Sequence, residues 1–139
     1  MTAPVIRERP LPLPADRSAV YIARVKGRTL LTVMGWPGSQ HAAVDVLYVL
    51  VNNAVQHGLT TGETGQSLDA WLRITEAHEL LIDVTDPKPT FPDFDRAVGG
   101  ELGWGLWGAK QLGATITWFR DDSQGKTVRA VMQPGQVDL

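Results

Sequence analysis

The chain has 139 residues, a length typical of a single domain with its own hydrophobic core. Its 13 lysines and arginines against 15 aspartates and glutamates give a formal charge of -2, which excludes the basic footprint of a protein that binds nucleic acid or an anionic membrane. It contains no cysteine, so disulfides and thiolate chemistry are excluded and a reducing, cytoplasmic setting is expected. No segment has the apolar length of a membrane span, and the polar start of the chain lacks the pattern of a signal peptide.

Composition divides the chain into three parts. Residues 1–14 hold four of the nine prolines, so residues 1–15 are predicted to form an extended, proline-rich N-terminal arm. Residues 16–133 are predicted to form one folded domain, and residues 134–139 a short C-terminal tail. No internal repeat or linker indicates a second domain.

Two helices are predicted at the start of the domain. The first is capped by Asp16 or Ser18 and ends at residues 36–38 (WPG), because proline cannot continue a helix and glycine relaxes the turn. The second begins at Ser39 or the next residue and runs to His57. Its apolar residues nearly encircle it, which predicts that it is buried between two layers.

The rest of the domain is predicted to contain mainly strands. Four strand-like runs are found at residues 70–75, 80–85, 115–120 and 127–132. Residues 86–103 are rich in proline and glycine and are predicted to form a functional lid, followed by a short helix at residues 104–112. The connections are too short for parallel crossovers, so we expect an α+β fold: a two-layer sandwich of a mixed, mostly antiparallel sheet with helices on one face.

Polar residues in the second helix are the first candidates for a site. Asp45, Val49, Asn53 and His57 lie four residues apart and therefore form one ridge. Asn53 and His57 interrupt an apolar segment, and an unpaired buried amide costs about 1–3 kcal/mol. They need partners, which either a ligand or the backbone of a neighbouring loop can supply.

Three further positions carry weaker signals. A carboxylate at Asp86, after a buried strand, can accept a hydrogen bond from an exocyclic amino group such as that of adenine, but an aspartate before proline also commonly starts a turn. The GWGL sequence at residues 103–106 precedes a helix, where glycines let N–H groups approach a phosphate or simply allow close packing. Thr127 either reaches a base or water beside Asp86 or only favours the strand.

The order of these motifs is more specific than any one of them. VLVNNAVQHG, VTDPKPTFP, GWGLWGAKQLG and QGKTVRAVM together resemble the motifs of the Bergerat-fold (GHKL) ATPase superfamily of gyrase, heat-shock chaperones, histidine kinases and mismatch-repair proteins. They are most similar to the small stand-alone ATP-binding regulators of actinobacteria, which are related to anti-sigma-factor serine/threonine kinases. The resemblance extends from Asp16 to Met132.

The resemblance implies a sheet of four or five strands, with ATP held between the helices and the lid of an ATP-binding domain at residues 16–133. Asn53 would coordinate the Mg²⁺ that bridges the ATP phosphates. Asp86 would bond the adenine amino group with support from Thr127, and the glycine motif would supply backbone contacts to the phosphates. The nucleotide-binding residues implied in this way are Asn53, His57, Asp86, Gly103, Trp104, Gly105, Leu106 and Thr127.

Two departures from the family pattern bear on activity. The related kinases have a glutamate as general base four residues before the asparagine, whereas this chain has Val49, and losing a positioned base removes roughly 10²–10⁴-fold of rate. Asp45 is about 6 Å further along the helix axis, too far to replace it. In addition, the DPKP sequence at residues 86–89 replaces a glycine-rich segment and stiffens the loop beside the adenine position.

The leading hypothesis is an ATP-binding regulatory protein that resembles an anti-sigma factor and acts by nucleotide-dependent protein–protein interaction, with weak or lost phosphotransfer. The implied partners are a sigma factor or a STAS-type anti-sigma antagonist, and a homodimer is compatible with the resemblance. One alternative is an active serine/threonine protein kinase that phosphorylates such an antagonist. A second is a degenerate domain that binds no nucleotide and serves only for protein interaction.

Overall fold

The computed structural model describes residues 3–122 and 124–135. Its strands are β1 (Val5–Leu13), β2 (Leu68–Thr75), β3 (Leu80–Asp86), β4 (Thr115–Arg120) and β5 (Lys126–Met132). Its α-helices are α1 (Ser18–Met34), α2 (Gln40–Asn53), α3 (Phe94–Val98) and α4 (Gly105–Gln111), and a π-helical turn at Ala54–Gly58 follows α2 directly. Most of the expected C-terminal tail, residues 136–139, lies outside the described residues. In the ranges given above, none of the helices has both the length and the apolar character needed to cross a bilayer.

The strands form one sheet in the order β1-β2-β3-β5-β4, with helices packed on one face, which confirms the expected α+β sandwich. Every neighbouring pair of strands within the described ranges is antiparallel, although a mixed sheet was expected. The reason is that the β4–β5 hairpin places β5 beside β3. Strand β4, which runs parallel to β3, is thereby displaced to the edge of the sheet.

The proline-rich N-terminal segment is extended, but it is not an arm outside the domain. Strand β1 pairs with β2 along its length, with Glu8 opposite Arg73 and Leu13 opposite Leu68. Leu11 of β1 is buried in the hydrophobic core. Because β1 is an edge strand, where proline is tolerated, its prolines do not prevent pairing. Residues Val5–Leu13 of the predicted arm therefore belong to the sheet.

The helix boundaries follow from local hydrogen bonds. Helix α1 begins at Ser18 with Arg17 as its N-cap and no side-chain cap, so the expected cap by Asp16 or Ser18 is wrong, although the Asp16 carboxylate accepts a hydrogen bond from the backbone N–H of Ser18 at 2.8 Å. Helix α1 ends at Met34, and the C-cap Gly35 has a φ of 68°, the left-handed conformation that glycine adopts without strain, just before the expected stop at residues 36–38. Ser39 caps α2 by accepting a hydrogen bond from the N–H of Ala42 at 3.2 Å.

Helix α2 is buried between α1 and the sheet, as its apolar pattern predicts. Val46, Leu47, Leu50 and Val51 are at most 1% exposed. Gly27 allows α1 to approach closely, since a Cβ atom at that position would lie 2.5 Å from a methyl carbon of Leu47. This packing fixes the orientation of the ridge that carries the candidate polar residues.

Candidate functional site

A cavity of about 380 Å³ lies between the C-terminal half of α2, the lid and the start of α4. This volume is within the range of small-molecule sites. Asn53, His57 and residues 103–106 line the cavity together, so the structure brings the helix motif and the glycine motif of the sequence to one place. Helix α2 and the π-helical turn form one wall of the cavity, the helical wall, which also contains Tyr48, Asn52 and Gln56. Sequence analysis did not single out these three residues.

The helical wall ends in a different geometry from the one expected. The second helix was predicted to remain α-helical to His57, but it changes to a π-helical turn after Asn53. Asn53 and His57 still line one cavity, but they no longer follow the α-helical ridge. Turns of this kind are found frequently at functional sites because they redirect side chains.

Asn53 is half-buried and His57 is exposed. Neither side chain forms a hydrogen bond or ion pair with another described residue. The neighbouring-loop backbone is therefore not their partner, which removes one of the two interpretations open at the level of sequence. Both groups are available to a ligand or to solvent.

The position expected for a general base is apolar. Val49 lines the cavity one turn before Asn53. Asp45 does not line the cavity, and its carboxylate accepts a hydrogen bond from Arg24 of α1 at 3.1 Å. A carboxylate missed by the sequence analysis, Asp93, does line the cavity, and it lies 3.6 Å from the Arg96 guanidinium. It lies in the lid, whose lack of periodicity gave no signal for it.

Asp86 lies at the end of β3 and is 2% exposed. Its Oδ1 atom accepts hydrogen bonds from the backbone N–H of Lys88 at 2.9 Å and from Lys126 Nζ at 3.0 Å. Its Oδ2 atom lies 2.9 Å from Nζ without the angle of a hydrogen bond, so we treat that contact as ionic. The bond to Lys88 bears out the turn-forming interpretation of Asp86.

The buried ion pair changes what the cavity presents to a ligand. Lys126 lines the cavity, whereas Asp86 does not. On its other side the Asp86 carboxylate packs against the π-helical turn, because a Cβ atom on Gly58 would lie 2.3 Å from Asp86 Cγ. Asp86 is thus not among the residues that line this cavity, and its contact with a nucleotide base stays a prediction. Sequence alone gave no sign of the pairing, since its partners are 40 residues apart.

Thr127 is also displaced from its expected position. Its hydroxyl lies 2.7 Å from that of Thr85, and it does not line the cavity. The next residue, Val128, belongs to the core beneath the helices, so by strand alternation Thr127 faces the opposite side of the sheet. Thr127 therefore does not support Asp86, and the residue of the GKTV motif that contacts Asp86 is the lysine one position earlier.

The lid contains aromatic contacts and a short helix, α3, that was not predicted. Within the lid, Phe91 packs edge-on against Phe94 with ring centroids 5.2 Å apart. Just after the lid, Trp104 packs edge-on against Trp107 with ring centroids 5.1 Å apart. Trp104 lines the cavity and is 61% exposed. Gly103 has a φ of 95°, so the backbone there requires glycine.

A second polar cluster lies on the face of the sheet away from the helices. Asp83, which is 4% exposed, accepts hydrogen bonds from Arg73 at 2.7 Å and from two nitrogens of Arg129 at 2.7 and 2.8 Å. Arg73 also bonds Glu8 at 3.0 Å. Hydrogen bonding to Asp83 raises the pKa of the Arg129 guanidinium, against the opposing effect of burial. All of these charges are paired, which indicates a structural role.

The donors at the cavity suit a magnesium ion that arrives with a phosphate-bearing ligand. Within residues 3–122 and 124–135, no three histidine, aspartate or glutamate side chains converge as a metal site. The Asn53 amide contributes one oxygen donor. Magnesium is commonly held by few protein ligands together with substrate phosphates and water, and an amide oxygen is among the ligands that can take part.

Comparison with known proteins gives a match in structure. No protein-family model matches the chain, and no curated protein matches its sequence. The structure is similar to that of the RsbU and RsbW domains of Rv1364c from Mycobacterium tuberculosis, with a TM-score of 0.57 and 20% sequence identity. The match covers 92% of this chain and 32% of that chain, so this protein spans about a third of its neighbour's length. At this identity the similarity shows a shared fold.

Proposed function

We propose that the protein is an ATP-binding regulator that resembles an anti-sigma factor and acts through nucleotide-dependent contact with another protein. The observation that carries the proposal is the cavity under the lid, lined by Asn53 and His57, whose polar groups have no partner among the described residues. The phosphate oxygens of a nucleotide are acceptors for amide and imidazole N–H groups. The fold shared with the RsbU and RsbW domains of Rv1364c supports the same proposal.

In this proposal the triphosphate lies along the helical wall. The Asn53 side-chain oxygen would hold the Mg²⁺ that comes with the nucleotide, and His57 would donate a hydrogen bond to a phosphate oxygen. Magnesium neutralises phosphate charge when bound. The turn at Gly103 keeps the backbone of the lid close to the same end of the cavity.

The nucleotide acts as a conformational ligand. A ligand shifts a protein between states only if it binds one of them more tightly. The lid contributes Phe91 and Asp93 to the cavity wall, and Trp104 follows it directly, so a ligand that fills the cavity contacts the lid. ATP would therefore stabilise a closed lid and present a different surface to a sigma factor or a STAS-type antagonist.

Phosphotransfer is expected to be weak or absent. Val49 supplies no proton acceptor at the wall beside Asn53, and Asp45 is engaged with Arg24 outside the cavity. Without a positioned base, the rate is expected to be lower by roughly 10²–10⁴-fold than that of a kinase that has one.

A second candidate function, serine/threonine protein kinase, is favoured by one observation. Asp93 lines the cavity and is 58% exposed, so a movement of the lid would bring a carboxylate towards a substrate hydroxyl. Positioning and electrostatics supply much of the catalysis of phosphoryl transfer, so a poorly placed base lowers the rate without abolishing it.

Calorimetric titration with ATP–Mg²⁺ tests the binding proposal. We expect wild type to bind, and Asn53→Ala to bind at least about tenfold more weakly, since it loses interactions with charged groups. Asn52→Ala is the matched control, because it removes a neighbouring amide of the same cavity wall. Absence of heat with wild type would contradict the proposal and favour a domain that binds no nucleotide.

Incubation with labelled ATP and a STAS-type antagonist separates the regulator from the kinase. We expect no stoichiometric phosphoserine with wild type and a gain of transfer in Val49→Glu, which restores a carboxylate beside Asn53. Stoichiometric transfer by wild type that is lost in Asp93→Asn would establish the kinase instead.

A further inference from the structure

We propose that Lys126 determines the base specificity of the cavity, because it competes with adenine for Asp86. This inference rests on the proposed function, in which the cavity binds a nucleotide. It concerns which base the cavity distinguishes, and it predicts that the wild-type protein discriminates poorly between adenine and keto bases.

The competition follows from the positions of the two side chains. Lys126 and Asp86 lie directly opposite each other on β5 and β3, and their side chains are 3% and 1% exposed. The ammonium lies 3.0 Å from Oδ1 and 2.9 Å from Oδ2. Lys126 lines the cavity and Asp86 does not, so the lysine stands between the carboxylate and the ligand space.

Recognition of adenine by a carboxylate requires an acceptor oxygen that faces the exocyclic amino group. Asp86 Oδ1 already accepts hydrogen bonds from Lys126 and from the backbone N–H of Lys88. Oδ2 faces Gly58, where an added Cβ atom would lie 2.4 Å from it, and it is in contact with the ammonium. Neither oxygen is open to the cavity.

Where Lys126 lines the cavity, the polar group of its side chain is an ammonium, which donates hydrogen bonds and accepts none. It can donate to the keto oxygen of guanine, whereas the amino group of adenine finds no acceptor there. The cavity therefore offers adenine the wrong partner unless Lys126 moves.

Several contacts oppose that movement. The backbone at Gly125, immediately before Lys126, packs tightly against the end of β3, because a Cβ atom on Gly125 would lie 2.1 Å from the Asp86 carbonyl oxygen. The ammonium also lies 5.4 Å from the centre of the Phe91 ring in the lid, within the range of a cation–π contact. Withdrawal of Lys126 would leave a buried carboxylate without its counter-charge, which is unfavourable.

The experiment is a calorimetric titration of wild type and Lys126→Thr with ATP–Mg²⁺ and with GTP–Mg²⁺. Threonine is short, so it opens the path to Asp86, and it suits a strand. For wild type we expect dissociation constants for the two nucleotides within about threefold, the effect of less than one neutral hydrogen bond. For Lys126→Thr we expect a preference for ATP of about tenfold or more, because adenine then gains a bond to a charged acceptor.

Two variants control for charge and for folding. Lys88→Thr removes another lysine that lines the cavity, but the bond of Lys88 to Asp86 comes from its backbone, so the ratio of the two affinities should remain that of wild type. Lys126→Met keeps most of the side-chain volume and removes the donor, so GTP binding should weaken by no more than about threefold, and ATP should gain nothing because the methionine still covers Asp86. Thermal unfolding of each variant shows that it is folded.

An unchanged ATP-to-GTP ratio in folded Lys126→Thr would overturn the role of Lys126 and leave the nucleotide site intact. Absence of binding by both nucleotides to every variant would overturn the proposed function and this inference with it. A wild-type protein that prefers ATP by more than about tenfold would also contradict the inference.

Discussion

Replacement of Gly58 by alanine tests how the end of the second helix meets the buried Asp86–Lys126 pair. A Cβ atom at Gly58 would lie 2.3 Å from Asp86 Cγ and 2.4 Å from Oδ2, distances at which something must shift. Gly58 has no positive φ, so alanine is compatible with the backbone itself. Any destabilisation must therefore come from the collision with the carboxylate.

The expected cost can be bounded from the structure. Overpacking of a tight site costs about 1–3 kcal/mol, and the upper part of that range applies if Asp86 is pushed away from its counter-charge. For a chain of this size, 1 kcal/mol corresponds to a shift in melting temperature of about 3–4 °C. We therefore expect Gly58→Ala to melt roughly 3–12 °C below wild type.

Thermal unfolding followed by circular dichroism measures the shift in melting temperature, and urea unfolding measures the free energy. Gly105→Ala is the matched control, since a Cβ atom there would meet nothing within 4 Å, and its stability should stay within about 0.5 kcal/mol of wild type. Equal stability of Gly58→Ala and wild type would refute the close contact between the π-helical turn and Asp86. A loss of the same size in Gly105→Ala would show that the effect is general to the cavity glycines.

Three further predictions follow from other parts of the molecule. Asp83→Asn leaves two arginines without their shared counter-charge, so it should lower the free energy of unfolding by about 1–3 kcal/mol in urea titrations. Glu8 pairs with Arg73 through an exposed carboxylate, so Glu8→Gln should cost less than about 1 kcal/mol. Because Trp104 lines the cavity, ATP–Mg²⁺ should change the tryptophan fluorescence of wild type and of Trp36→Phe but not of Trp104→Phe; an equal response in all three proteins would contradict the position of the site. Hydrogen bonds from the side chain and then the backbone of Ser18 hold the pKa of Asp16 below its ordinary value of 3.8. The stabilising effect of Asp16 is therefore present above that value and is lost as the pH falls through the lower folded pKa. The stability difference between wild type and Asp16→Ala should shrink progressively as acid unfolding is measured at pH values further below 3.8.

The main helices and strands were predictable because their signals lie within short segments of the sequence. The cap at Ser39, the alternation in residues 70–75 and the apolar run before Asp86 are properties of short segments, and the structure has the corresponding helix and strands. The short connections between these segments were enough to predict a mostly antiparallel sheet with helices on one face, but not that every neighbouring pair of strands is antiparallel.

Features that depend on distant parts of the chain were not predictable. Strand β1 contains prolines, which argue against a strand, and its partner β2 is far along the sequence. The π-helical turn has the same apolar pattern as an α-helix. The choice between Lys126 and Thr127 depends on which face of β5 meets the helices, and a slip of one residue reverses every side chain.

The site was therefore predicted in part. Asn53, His57 and the glycine motif do line one cavity, because each is tied to an element whose position follows from the fold. Asp86 lies at the expected end of β3, but its carboxylate is engaged by a lysine from another strand, and that pairing is a property of tertiary structure.

The central claim is that the cavity beside Asn53 binds a nucleotide, and an NMR titration with ATP–Mg²⁺ tests it most directly. We predict that the side-chain amide resonances of Asn53 and the backbone amides of Gly103 and Gly105 shift in a saturable way, while those of Thr127 on the opposite face of the sheet do not. Saturable shifts centred on Thr127, or none at all at the highest nucleotide concentration, would contradict the account.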